Sequence, residues 1–287
     1  MKKIVLLSLS VFAALFIVIT LTKNKPATEE LKQDDSAYSA LEKENVIKFW
    51  EYYREATDYR MNGQWEHAVE SYHHSLEFNG SHEDALYYLG NMYLELSRYR
   101  EAEDYWQKLV QVNPRNSRGF LQLGSLYLSS EAFFDIDKAE SACLESLKIN
   151  KEETGPLLLL GEVYLIRGQL EDAASDFEAV SASNFKSTEA YFLSGYIAWK
   201  KGEESKAREL FSLAVKNSKP LDTGSDKVHG EGDTKRGKGF GAVTSKSVFR
   251  KFMIELPDVQ PERLDQALEK TYASLDSFLA ELKSRIY

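Results

Sequence analysis

The amino-acid sequence predicts an all-α protein in which pairs of short helices repeat along the chain. Glycine recurs at intervals of 34, 37 and 34 residues, as Gly90, Gly124, Gly161 and Gly195. Alanine recurs at intervals of 34, 37, 34 and 34 residues, as Ala68, Ala102, Ala139, Ala173 and Ala207, and a tyrosine follows a similar spacing. A period this regular indicates a stacked array of repeats rather than one globular domain. It also favours a function that resides in an extended binding surface.

Each repeat is predicted to consist of two amphipathic helices. In the second repeat, residues 85–94 carry apolar side chains at helical spacing, residues 97–99 interrupt the pattern, and residues 102–110 resume it. Pro114 ends the second helix, because proline cannot continue a helix and disfavours helical geometry in the residue before it. Glycine inside a helix costs about 1 kcal/mol relative to alanine. The recurrence of Gly90 and its equivalents therefore indicates close packing of helix backbones.

These residues resemble the tetratricopeptide repeat family, whose motif is matched in the second repeat by Leu89-Gly90, Tyr93, Ala102, Trp106 and Pro114. Five units can be delimited, at 49–82, 83–116, 117–153, 154–187 and 188–221. The resemblance implies a right-handed superhelix of about five helix-turn-helix units within residues 46–220. The third unit departs from the motif by three extra residues near 131–135.

The N-terminal residues 1–22 are predicted to be a signal anchor that crosses a membrane. Residues 4–21 contain no charged side chain over 18 positions, a length at the lower limit for a transmembrane helix. No Ala-x-Ala cleavage site follows, which favours an uncleaved anchor over the alternative of a cleaved signal and soluble export. Lys2 and Lys3 favour a cytoplasmic N-terminus. The repeats would then lie in the periplasm of a bacterium, beyond a polar stalk at 23–45 with a short helix from about 36.

The residues after the repeats are predicted to form a loop and then helices. Residues 221–246 are rich in glycine and lysine, which is typical of a flexible loop. The run 232–239 nearly matches a phosphate-binding loop, but Gly239 replaces the required Ser or Thr and no strand precedes it. Within 247–287, leucines at helical spacing from Leu264 to Leu282 predict an amphipathic helix that caps the fifth unit. Alternatively, this helix folds back into the groove of the repeats or pairs with another chain.

The family resemblance also implies a binding groove, because the first helix of each unit lines the concave face in that family. The implied groove residues are Tyr53, Tyr87, Asn91, Leu94, Leu121, Leu128, Leu158, Glu162, Phe192, Tyr196 and Trp199. This surface is aromatic and apolar, which suits an amphipathic helix or an extended peptide. The paired lysine and asparagine with which some family members bind a peptide carboxylate are not matched, because tyrosines stand at the lysine positions.

Several classes of function are disfavoured by the composition. The formal net charge of −9 disfavours nucleic-acid binding, which needs a basic surface. His67, Glu70 and His74 share a helix face, but that face points away from the predicted core, so we predict neither a metal site nor a cofactor. The single cysteine, Cys143, is expected to be a small buried core residue.

With no nucleophile motif, the sequence predicts a non-catalytic scaffold or a chaperone-like assembly adaptor. We expect it to bind another protein of an envelope complex at a bacterial inner membrane. The alternative is a structural subunit that self-associates through its C-terminal helix.

Overall fold

The structure, a computed structural model, describes residues 27–129, 133–218 and 247–286. The predicted signal anchor at 1–22 and the predicted loop at 221–246 lie outside these residues. Within the described ranges, none of the helices is long and apolar enough to span a bilayer. The helices are α1 Ala27–Met61, α2 Trp65–Phe78, α3 Glu83–Glu95, α4 Tyr99–Val112, α5 Ser117–Tyr127, α6 Ile136–Ile149, α7 Thr154–Arg167, α8 Leu170–Ser183, α9 Thr188–Lys200, α10 Glu204–Ser218 and α11 Leu264–Ile286.

The helices pack as consecutive pairs, and this confirms the predicted all-α repeat fold. The pairs are α1 with α2, α3 with α4, α5 with α6, α7 with α8, and α9 with α10. The second helix of each pair also contacts the first helix of the next pair, so that the pairs stack in chain order. Between Ser247 and α11 the chain forms three short 3-10 turns, at Arg250–Phe252, Leu256–Asp258 and Pro261–Arg263.

Helix α1 extends further toward the N-terminus than the polar composition of residues 23–45 predicts. Residues 27–45 were predicted as a polar stalk with a short helix from about 36, but α1 runs without interruption from Ala27. No glycine or proline occurs between Ala27 and Met61, and the segment is rich in Glu and Ala, which favour helix. A polar composition is therefore compatible with a helix in this segment.

The turns inside the units use a residue in the left-handed region of backbone conformation. Gly63, Gly168 and Gly202 have φ angles of 71°, 81° and 75°, and Ser97 stands at the equivalent place with a φ of 58°. This conformation costs a residue with a Cβ atom about 1–2 kcal/mol, whereas glycine adopts it freely. Asn116, Asp135 and Ser187 each accept a backbone N–H at the start of a helix, which fixes where α5, α6 and α9 begin.

The repeated glycines Gly90, Gly124 and Gly161 are each covered by a side chain of the second helix of their own unit, whereas Gly195 is covered by Tyr272 of α11. A Cβ atom at Gly161 would lie 2.5 Å from the ring of Phe177, and one at Gly124 would lie 2.7 Å from Cys143 Sγ. Real Cβ atoms do not approach other atoms this closely, so glycine is required for the two helices to meet. Cys143 is buried as expected, and burial raises the pKa of its thiol. It therefore serves as a packing residue.

Candidate functional site

The predicted groove residues lie on the first helices α1, α3, α5, α7 and α9, and we call this surface the groove face. The structure divides it into two halves. The N-terminal half consists of α1, α3 and the residues of α5 that face α3. The C-terminal half is covered by residues 247–286, which we call the C-terminal segment. The covered residues are Leu128, Glu162, Phe192, Tyr196 and Trp199.

Tyr53 and Tyr87 form a half-buried aromatic surface in the N-terminal half. The ring of Tyr53 stacks on Phe49 with centroids 5.7 Å apart, and burial raises the pKa of its hydroxyl. Gln122 donates a hydrogen bond of 3.3 Å to the hydroxyl of Tyr87, and the guanidinium of Arg118 lies 4.8 Å from the Tyr87 ring centroid. Tyr53 is thus held in place by a neighbour on its own helix, α1, and Tyr87 is held by two residues of α5.

Asn91 lies beside this aromatic surface with an unsatisfied polar atom. Its Oδ1 is buried and has no hydrogen-bond partner. Leu94 and Leu158 are half-buried and pack against the core. Leu121 is 8% exposed and lies against Gly155 of the next unit, so it contributes to the core more than to an open surface. Of the predicted groove residues, Tyr53, Tyr87, Asn91 and Leu94 are those that a partner could reach in the N-terminal half.

Tyr272 of α11 fills the centre of the C-terminal half. It is fully buried, and its hydroxyl donates a hydrogen bond of 2.9 Å to the carbonyl oxygen of Phe192. Its ring centroid lies 5.4 Å from Phe192, 5.8 Å from Tyr196 and 6.1 Å from Trp199. The three aromatic groove residues of α9 therefore face the chain's own C-terminal helix.

Carboxylates of α11 meet hydrogen-bond donors around this aromatic contact. Tyr196 donates to Asp276 at 2.7 Å, and Trp199 Nε1 donates to Glu269 at 3.1 Å. Lys200 Nζ also lies 2.5 Å from Asp276, and this contact is the main reason why the pKa of Asp276 lies below its ordinary value. The apolar side of α11 and the carboxylates at its edge are thus complementary to the aromatic rings and hydrogen-bond donors of the groove face.

The C-terminal segment extends beyond α11 to cover the third and fourth units. The backbone N–H of Val248 donates to the carbonyl oxygen of Leu128 at 3.3 Å, and Phe249 is fully buried. Phe252 packs against Phe278 of α11 with ring centroids 5.4 Å apart. Because α11 also contacts α10, the segment caps the fifth unit and folds back into the groove at the same time.

Glu162 and Glu189 form a buried carboxyl pair beneath this segment. Glu162 is fully buried, and neither of its carboxylate oxygens has a hydrogen-bond partner; Oε1 of Glu189 is also buried and unpaired. Burial and the neighbouring Glu189 raise the pKa of Glu162 well above its ordinary value. Burial likewise raises the pKa of Glu189 to about 7. Sequence reasoning identified Glu162 and missed Glu189, although Glu189 stands second in its unit, where side chains face the preceding unit.

Two histidines of α2, His67 and His74, contact the side chains of nearby residues. His67 stacks on Tyr59 with centroids 5.1 Å apart, and His74 Nδ1 lies 3.3 Å from Glu77. Across the parts of the chain that the structure describes, no three metal-ligating side chains are grouped closely enough to hold an ion.

Comparison with known proteins identifies the repeats. The tetratricopeptide repeat family matches residues 83–116 and, in a second match, residues 158–221. Anaphase-promoting complex subunit 3 of Schizosaccharomyces pombe is 23% identical over 157 residues, which cover 55% of this chain and 23% of that protein. The chain therefore spans less than a quarter of that relative's length.

Solved structures show the same fold. PilF of Pseudomonas aeruginosa superposes with a TM-score of 0.55 and 18% identity, covering 83% of this chain and 93% of PilF. MamA of Desulfovibrio magneticus RS-1 gives a TM-score of 0.54 and 16% identity, covering 61% of this chain and 98% of that one. YrrB, described as a tetratricopeptide repeat protein with an unusual peptide-binding site, gives 0.50 and 24%, covering 63% and 92%.

At these identities the likeness establishes the fold alone. Tetratricopeptide repeat proteins act as protein–protein interaction scaffolds and are typically non-catalytic. The family matches and the stacked helix pairs together show that this chain contains tetratricopeptide repeats.

Proposed function

We propose that this protein is a non-catalytic scaffold or assembly adaptor that binds a segment of another protein on the N-terminal half of its groove face. The observation that carries the proposal is the half-buried aromatic surface of Tyr53 and Tyr87, which the C-terminal segment leaves uncovered. Tyrosine supplies a large contact area and a hydroxyl donor at low entropic cost, which suits a protein interface. Leu94 extends this surface with an apolar side chain.

The covered half supports an amphipathic helix as the type of ligand. Helix α11 places Leu268, Tyr272 and Leu275 in buried positions, while its carboxylates meet donors at the edge. This arrangement is the helix-in-groove mode of recognition, here formed within one chain. A partner helix of similar length could use the N-terminal half in the same way, with aromatic contacts at Tyr53 and Tyr87.

Site-specific photocrosslinking in native membranes tests this proposal. We expect a probe at Tyr87 to form an adduct with a second protein, because Tyr87 lies on the uncovered half. A probe at Phe192 should crosslink within the chain to residues near 268–279, since Tyr272 packs against it. A probe at Lys108, an exposed residue of the second helix α4, is the matched control. Equal adducts at Tyr87 and Lys108, or no adduct at Tyr87, would contradict the proposal.

Self-association through α11 is the second candidate function. The contacts that α11 makes inside one chain would be equally available between two copies that exchanged this helix. Equilibrium sedimentation of residues 30–287 separates the candidates. A monomer at all protein concentrations would exclude exchange, whereas a dimer would support it.

We further propose that residues 4–21 anchor the protein in a bacterial inner membrane, with the repeats in the periplasm. The support is the uncharged run of 18 residues that follows Lys2 and Lys3. Alkaline extraction of membranes measures the anchorage: an integral protein stays in the pellet. Protease added to spheroplasts should then digest the repeats. Full protection of the repeats from the protease would show that they lie on the cytoplasmic side instead.

A further inference from the structure

The buried carboxyl pair of Glu162 and Glu189 joins three parts of the chain. Glu162 belongs to α7 and Glu189 belongs to the next first helix, α9. Ser247, at the start of the C-terminal segment, lies close enough to Glu162 to lower its pKa. Glu162 has no exposed surface, and three of the four carboxylate oxygens of the pair are buried without a hydrogen-bond partner. Two acidic groups are thus enclosed where the segment meets the groove face.

The groups that surround the pair do not neutralise it. Cys143 of α6 faces Glu162, and burial keeps this thiol protonated and uncharged. Arg250 of the C-terminal segment is near enough to lower the pKa of Glu189, but within the described residues no ion pair joins either carboxylate to a lysine or arginine. The side chain of Arg250 is exposed, so most of its charge is solvated.

Enclosing both groups as carboxylates would be unfavourable. An ionised carboxylate that is buried loses its hydration, and the influence of Ser247 on Glu162 and of Arg250 on Glu189 is smaller than this cost of burial. Two carboxylates side by side also repel each other, so at least one of them holds a proton in the enclosed state. Movement of the C-terminal segment away from α7 and α9 would expose the pair to water.

We propose that the C-terminal segment is a proton-dependent occupant of the groove, which stays docked while the carboxyl pair holds a proton and leaves when both groups ionise. Its departure would uncover Leu128, Phe192 and Tyr196 and so extend the groove face over the third, fourth and fifth units. The proposal concerns the chain alone and does not depend on which partner binds.

The direction of the pH dependence follows from the raised pKa values. In the open state the carboxyls titrate near their ordinary value of 4.5, and in the docked state Glu189 titrates at about 7. Between these values the docked state holds more protons than the open state, so docking weakens as the pH rises. Each proton lost shifts the ratio of docked to open molecules by about tenfold per pH unit in this window. Docking is therefore strongest below about pH 4.5 and weakens as the pH rises through the raised pKa of Glu189, about 7.

Hydrogen–deuterium exchange of the full-length protein measures docking directly. We expect the protection factors of α11 amides to fall by at least about 100-fold between about pH 5 and about pH 7, after correction for the intrinsic exchange rate, since one proton alone accounts for about tenfold per pH unit. Amides of α6, which lies in the array, serve as the internal reference and should keep their protection. Equal protection of α11 at both pH values would overturn the proposal.

A paired substitution assigns the effect to these two groups. Glu162→Gln with Glu189→Gln leaves uncharged amides of the same shape, so α11 should stay protected at both pH values. Asp176→Asn is the matched control, because burial and Asp172 raise the pKa of Asp176 to about 6 although it lies on α8. That variant should keep the wild-type pH dependence. If the paired variant keeps that dependence too, or the control abolishes it, the carboxyl pair is not the switch.

A surface substitution tests the same mechanism without changing the buried pair. The charge of Arg250 lowers the pKa of Glu189, so Arg250→Ala should raise that pKa and move the release of α11 to higher pH. Arg263→Ala removes an exposed positive charge elsewhere in the C-terminal segment and should leave the release unchanged. A shift to lower pH in Arg250→Ala, or equal shifts in both variants, would refute the proposal.

Discussion

Replacement of Tyr272 by alanine is expected to release α11 from the groove face. Tyr272 is fully buried, and its ring packs against Phe192, Tyr196, Trp199 and Phe211. Loss of a buried aromatic side chain costs about 3–5 kcal/mol. In a repeat array this loss is local, because each element is stabilised mainly by its neighbours. The cost should therefore appear as undocking of α11 while α3 to α8 stay folded.

Tyr272→Phe is the matched control for this prediction. It keeps the ring and removes only the hydrogen bond to the carbonyl oxygen of Phe192, which contributes about 1 kcal/mol. Hydrogen exchange of α11 and the fluorescence of Trp199, whose indole N–H bonds to Glu269, report the undocking. An alanine variant with wild-type protection of α11 would show that the groove face does not hold this helix.

Replacement of Trp106 by alanine is expected to unfold the N-terminal units of the array at lower urea concentration. Trp106 is fully buried in α4, its Cδ1 would lie 2.7 Å from a Cβ atom at Gly90, and its indole N–H donates to the carbonyl oxygen of Tyr87. The cavity left by truncation costs about 3–5 kcal/mol of the free energy of unfolding. Since Gly90 and Tyr87 belong to α3, the site on the N-terminal half should lose its support.

Trp50→Ala makes the same chemical change at an exposed position. Trp50 is 47% exposed on α1, so its loss should cost less than about 1 kcal/mol. Urea unfolding followed by circular dichroism compares the two variants. Equal loss of stability in both would mean that the contact between Trp106 and Gly90 does not hold the second unit together.

The sequence alone was sufficient to identify the repeats, because each unit repeats the same local packing. Gly161 and Phe177 are 16 positions apart, as are Gly90 and Trp106, so periodicity reveals a contact that a single unit would hide. The same frame placed Tyr87 and Phe192 on one face. It did not locate the start of α1, since the polar composition of residues 27–45 fits both a stalk and an exposed helix.

The place of the C-terminal segment depended on tertiary structure. The leucine spacing of α11 determines that it is an amphipathic helix and leaves open which surface its apolar side covers. That choice depends on contacts such as Tyr272 with Phe192 and Asp276 with Lys200, which join residues 80 and 76 positions apart. The enclosure of Glu162 and Glu189 follows from the same docking. Local pattern thus determined the helices and their stacking, whereas burial between distant segments decided which half of the groove face stays open.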